Sequence, residues 1–138
     1  SIDALVAAVG TGGTVSGVGA TLKAHDPRTR VIAVEPAASP VLLGGSPGPT
    51  KIQGLNAGFV PDNYDGNIVD DIIGVSDRDA WNTKLALAKQ EGLLVGISAG
   101  ANVWAAIRVA RELDPGQNVV TILCDTGERY FSLAEYFE

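Results

Sequence analysis

Ala4-Leu5-Val6-Ala7-Ala8-Val9-Gly10-Thr11-Gly12-Gly13-Thr14 is the stretch on which the fold turns. Six apolar residues in succession, with no polar alternation, suit a strand buried on both faces, and such strands belong to parallel sheets covered by helices. The glycines close the strand in a turn. A helix is expected next, with Val15, Val18 and Leu22 as its apolar stripe. Asp26-Pro27 marks its end, because the residue before a proline resists helical geometry.

Working outward, Arg30 to Glu35 reads as a second strand stopped by Pro36. From Pro36 to Asn67 a long proline- and glycine-rich loop is expected, densest at Gly44-Gly45-Ser46-Pro47-Gly48-Pro49; loops of that length are commonly functional. Ile68 to Val75 resumes a strand pattern. Ser76 with Asp79 three residues later resembles a capping box that opens a helix through about Gln90, ended by Glu91-Gly92. Leu93 to Ile97 is expected as a short strand, and Ser98-Ala99-Gly100-Ala101 opens an alanine-rich helix to about Leu113. Val119 to Leu123 is the last strand, and Gly127 to Phe137 a short helix or irregular tail. The alternation predicts an α/β fold: a three-layer, open, mostly parallel sheet with helices on both faces and ligand chemistry at the carboxyl ends of its strands.

The 138 residues fit one domain, and 46% hydrophobic with 19% charged residues describe a well-buried globular chain. A net charge of −6 without any Lys/Arg cluster argues against nucleic acid or anionic lipid as partner. The single cysteine, Cys124, excludes an internal disulfide and fits a reducing, cytoplasmic setting. One histidine, His25, and one cysteine cannot build a zinc cluster, and no calcium-loop spacing occurs, so no metal is expected. The apolar runs are too short to span a bilayer. Ser1 leads into the first strand without initiator methionine or leader, and the expectation is that residues 1–138 are the C-terminal portion of a larger enzyme.

At Gly10-Thr11-Gly12-Gly13-Thr14 a strand hands over to a helix. Backbone N–H groups can converge there on an anion, Thr11 and Thr14 add hydroxyl donors, and the helix N-terminus adds roughly half a positive charge. A phosphate monoester is the natural guest. A tight turn that binds nothing explains the same glycines. So does a dinucleotide cradle with Glu35 on the ribose, although Val15 stands where that motif's third glycine is expected.

Several segments read together narrow the choice. Gly-Thr-Gly-Gly-Thr, Val34-Glu35-Pro36, Lys51-Ile52-Gln53-Gly54-Leu55-Asn56-Ala57-Gly58-Phe59-Val60-Pro61, Glu91-Gly92-Leu93-Leu94-Val95-Gly96-Ile97-Ser98-Ala99-Gly100-Ala101 and Gly127-Glu128-Arg129-Tyr130 follow in that order. In this the chain resembles the C-terminal portion of cysteine synthase, the O-acetylserine sulfhydrylase group of fold-type II pyridoxal-phosphate enzymes. The resemblance implies that Gly10, Thr11, Gly12, Gly13 and Thr14 bind the cofactor phosphate, that Ser98 hydrogen-bonds the pyridine nitrogen, and that Gly54 and Gly58 line the substrate mouth. Ser98 also suits an ordinary helix N-cap. A neutral hydroxyl cannot keep the pyridine nitrogen protonated as a carboxylate would, which favours β-replacement over transamination.

The implied reaction converts O-acetylserine and sulfide to cysteine and acetate. Cystathionine β-synthase and dehydratases share the fold. Related sulfhydrylases that take larger sulfur donors resemble the chain at Cys124-Asp125 but carry arginine near Leu55-Asn56-Ala57, so sulfide is expected. Cys124 is read as a small buried hydrophobe packed beside the ring, and His25 as exposed and inert. The resemblance further implies a homodimer and binding of the serine acetyltransferase C-terminal tail. It puts the lysine that bonds the cofactor upstream of Ser1, so no catalytic residue is assigned here and the piece alone is expected to be inactive.

Overall fold

The computed structural model describes residues 1–55 and 57–137. Four strands form one parallel sheet: β1 (Ala4–Ala8), β2 (Arg30–Pro36), β3 (Asp71–Val75) and β4 (Val119–Thr121), in the order β3-β2-β1-β4. Side chains of a strand alternate between faces, and β1 divides accordingly. Ala4 and Val6 join Ile32 and Val34 in one apolar layer under α2 (Asp77–Ala86) and α3 (Ile97–Ala110). Leu5 and Ala7 join Val31 and Ala33 in the other, closed by Val15 and Leu22 of α1 (Gly13–His25). The three-layer α/β arrangement is therefore the one expected. The centre of the sheet is buried on both sides because β1 and Val31–Val34 of β2 are apolar at consecutive positions, while β3 and β4 at the edges are only partly buried.

Several elements match the expectation closely. Ser76 caps α2, its hydroxyl oxygen accepting the Asp79 N–H at 3.0 Å while the hydroxyl donates to the Asp79 carboxylate at 2.7 Å. The helix continues as a π-helical turn, Leu87–Glu91, stopped by Gly92 in the left-handed region at φ 70°. His25, the last residue of α1, is exposed. Among the described residues no helix is long and apolar enough to cross a membrane.

Three expectations need correction. Leu93 to Ile97 is not a strand: only Val95 bridges, antiparallel, to Thr126, and Ile97 already belongs to α3. Gly92 stops one helix and Gly96 caps the next, the Leu93 N–H turns back to Leu87 O, and Leu93 and Leu94 stay exposed. β3 starts at Asp71 rather than Ile68. The Asp70 N–H donates to Val31 O at 2.8 Å, but the Asp70 carboxylate, paired with Lys23 at 2.7 Å, takes the Val31 N–H at 2.7 Å in place of a backbone carbonyl, so a side-chain cap fills half of a ladder step. β4 likewise stops at Thr121 rather than Leu123.

Candidate functional site

At the carboxyl ends of β1 and β4 lies a cavity of about 480 Å³, bordered by Gly10, Thr11, Thr14, Gln53, Gly54, Leu55, Ser98, Asn102, Cys124, Asp125 and Tyr130. Here β1 sends its chain into α1 on one face while α3 covers the other, the reversal at which open α/β sheets bind ligands. The first turns of α1 and α3 both border the space.

The turn after β1 admits only small residues. A Cβ on Gly10 would stand 2.5 Å from the Gly54 carbonyl oxygen, and Gly12 lies in the left-handed region at φ 85°, where a Cβ would also press on the Tyr64 backbone at 2.7 Å. Gly12 caps α1 without a side-chain hydrogen bond, and no acidic residue occupies the first turn. The turn's N–H groups and the Thr11 and Thr14 hydroxyls thus suit an incoming anion. Gly13 donates to the Thr11 hydroxyl oxygen at 3.4 Å.

On the opposite wall Ser98, 7% exposed, sits in the first turn of α3. Gly96, not Ser98, is the N-cap, so the serine hydroxyl is not spent on capping the helix. It lies 3.2 Å from the Cys124 Sγ. Cys124 is exposed and borders this space, which corrects the expectation that it is buried: β4 has ended and its continuation forms the wall. Backbone bonds hold that wall in place, with Gly96 N–H donating to Asp125 O at 3.2 Å and Gly127 N–H to Leu94 O at 3.1 Å.

Tyr130 donates its hydroxyl to Asp125 Oδ2, while Asp125 Oδ1 is buried without a hydrogen-bond partner. Burial first, then the Asp125 carboxylate, pushes the Tyr130 phenol up to about 12, so it stays a neutral donor. Gly96 has no Cβ because Asp125 Oδ1 occupies that place.

Of the residues singled out in the sequence, Gly10, Thr11, Thr14, Gly54 and Ser98 border one cavity. Gly12 and Gly13 shape the turn behind it. Gly58 lies off the wall, its open side facing Pro47 at 3.7 Å. Asn56 lies outside the described residues. Glu35 does not serve a ribose: its buried carboxylate accepts Leu42 N–H at 2.8 Å and Leu43 N–H at 3.2 Å, on the far side of the turn, which removes the acid a dinucleotide cradle needs. None of the four lysines borders the cavity. Lys23 pairs with Asp70, Lys51 Nζ donates to Tyr136 O at 2.7 Å, Lys84 is buried on α2 against Trp81, and Lys89 lies in the π-helical turn.

Asn102, Asp125, Tyr130 and Gln53 were given no site role from the sequence, although Gln53 and Tyr130 stand in segments that carry the resemblance and Asp125 follows Cys124 in another. Asn102 is marked only as an amide in an alanine-rich helix.

The family model described as pyridoxal-phosphate dependent enzyme matches residues 1–125. The chain belongs to this pyridoxal-phosphate dependent family. It is 52% identical over 136 residues to a cysteine synthase of Staphylococcus aureus (strain N315), an alignment that covers 99% of the chain and 44% of that relative. Among solved structures it is similar to O-acetyl serine sulfhydrylase isoform 3 from Entamoeba histolytica, with TM-score 0.92 and 45% identity over 95% of the chain and 39% of the other. It is also similar to an O-acetylserine dependent cystathionine beta-synthase from Helicobacter pylori, with TM-score 0.89 and 40% identity over 95% of the chain and 42% of the other. The chain thus spans less than half the length of these relatives.

The residues present fit pyridoxal phosphate. The turn of Gly10 and Gly12 packs against Gly54 and Tyr64 too closely for any Cβ, so backbone and threonine hydroxyls, not bulky side chains, meet the cavity there, and the Ser98 hydroxyl borders the same space.

Proposed function

We propose that the full-length protein carrying this chain is a cysteine synthase, converting O-acetylserine and sulfide to cysteine and acetate. Residues 1–138 would supply its cofactor grip. The observation that carries the reading is the meeting of the Gly10–Thr14 turn and Ser98 on opposite walls of one cavity. Pyridoxal phosphate, when bound, supplies an electron sink for the α-carbon of an amino acid.

This chain's residues would divide the work. Gly12, Gly13 and Thr14 offer N–H groups to the phosphate, and the Thr11 and Thr14 hydroxyls add donors. Ser98 meets the ring nitrogen as a neutral hydroxyl. The neighbouring Cys124 thiol can donate to Ser98 Oγ, leaving the serine proton for that nitrogen. Gly54, with open space where a Cβ would stand, leaves room at the mouth for the substrate, and Gly58 turns the following loop in the left-handed region at φ 74°. The amine that bonds the cofactor is sought outside these residues, since no lysine borders the cavity.

Cytoplasmic location, a homodimer and docking of a serine acetyltransferase tail in the mouth complete the proposal, supported by the likeness to cysteine synthases.

The test is turnover by the full-length protein with O-acetylserine and either sulfide or homocysteine, with cysteine and cystathionine measured as products. Cysteine formed faster than cystathionine supports the reading. Preference for homocysteine moves it to cystathionine synthesis, and no product from either contradicts it.

A further inference from the structure

β1 stays paired with β2 to its end, Ala8 opposite Val34, but its pairing with β4 stops at Val6 opposite Thr121. Beyond that step the two strands part, and the parting is the crevice just described. Separation orphans two backbone groups at its base, the Ala8 N–H and the Ile122 carbonyl. One side chain satisfies both: Asn102 Oδ1 accepts from Ala8 N at 2.8 Å, and Asn102 Nδ2 donates to Ile122 O at 2.8 Å. Thr121 completes the edge, its hydroxyl donating to Val6 O at 2.7 Å.

Asn102 is 2% exposed, and Ala8, Asn102 and Ile122 all border the cavity. An amide in that position is costly unless both of its ends are bonded, since a buried, unpaired polar group loses its water without compensation. What marks this amide out is where its two partners lie, the end of β1 and the first residue beyond β4, the two groups that separation of the strands leaves unpaired.

We propose that Asn102 is a positioning residue. Its primary amide is a spacer inserted between β1 and β4, holding the turn that follows β1 at a set distance from the Cys124–Asp125 wall that follows β4. The inference rests on the reading of this cavity as the pyridoxal-phosphate site.

The experiment titrates full-length wild type, Asn102→Ala and Asn102→Asp with pyridoxal phosphate. It follows the visible absorption of the bound cofactor at a temperature where circular dichroism shows each protein folded. Asn102→Ala is expected to weaken cofactor affinity on the order of tenfold and to shift the band. Asn102→Asp can accept from Ala8 but turns a carboxylate on the Ile122 carbonyl. Only its protonated form restores one donor and one acceptor, so its affinity relative to wild type should recover on acidification. Variants that bind within twofold of wild type with the same band overturn the inference while leaving the cofactor reading intact. If the alanine variant does not fold, the aspartate variant decides alone: a ratio that recovers at low pH supports the spacer, and one that does not overturns it. A wild type that takes up no cofactor overturns the reading of the site, and this inference with it.

Discussion

Tyr130 shows how a single side chain ties the tail to the cavity. Its phenol is held near 12 against an ordinary value of 10.0, and a group whose folded value is raised contributes stability that is complete below the unfolded value and lost as pH climbs through the folded one. Wild type should therefore lose thermal stability between about pH 10 and 12 in excess of Tyr130→Phe, whose melting temperature should be flatter over that window. Parallel melting curves of the two proteins against pH would contradict this. At Gly10 the expectation is steric: Gly10→Ala puts a methyl 2.5 Å from the Gly54 carbonyl, so the loop must move and cofactor affinity should fall by at least tenfold, read by the same titration. The turn by itself left its guest open between a phosphate, a dinucleotide and nothing, but that it must be made of glycine was legible, because a buried strand runs straight into Gly-Thr-Gly-Gly-Thr. Cys124 was not. Whether a thiol after an apolar strand is buried or faces a cavity depends on where that strand stops pairing, and Thr121 to Cys124 carries no sequence mark of it.

Among the elements, α2 was read from its first turn. Ser76→Ala removes the acceptor of the Asp79 N–H and should cost about 1 kcal/mol in denaturant unfolding, without altering cofactor affinity. α2 and α3 pack through Gly100, where an added Cβ would collide with the Ala80 carbonyl and stand 3.0 Å from Lys84 N. Gly100→Ala is therefore expected to destabilise by about 1–3 kcal/mol despite alanine's higher helix propensity; a stabilised variant would contradict the packing. Leu93–Ile97 failed as a strand for a related reason. Apolarity and length fitted, but Gly92 and Gly96 serve as a helix stop and a helix cap, and the run spends its hydrogen bonds on those junctions and on residues 125–127. The shortened β3 has the same kind of origin, since Asp70 reads as a strand residue in sequence yet acts as a side-chain cap on β2.

For the whole molecule, strand and helix alternation sufficed to predict a parallel sheet covered on both faces, because β1 and β2 are apolar at consecutive positions and α1 and α3 bracket them. Strand order was not legible in the same way. Nothing in Val119–Thr121 announces that it lies beside β1 rather than β3, and it is that adjacency, spread open above Val6, which makes the crevice. The places of Asn102, Asp125 and Tyr130 on the cavity were not legible for this reason, each being meaningful only once β1 and β4 stand side by side. The central claim is that the Gly10–Thr14 turn and Ser98 grip one cofactor from opposite walls. A crystal structure of the full-length protein with pyridoxal phosphate tests it directly. The account predicts the phosphate within hydrogen-bonding distance of the Gly12, Gly13 and Thr14 N–H groups and the ring nitrogen on the Ser98 hydroxyl, whereas a phosphate bound elsewhere, or a ring turned away from Ser98, would contradict it.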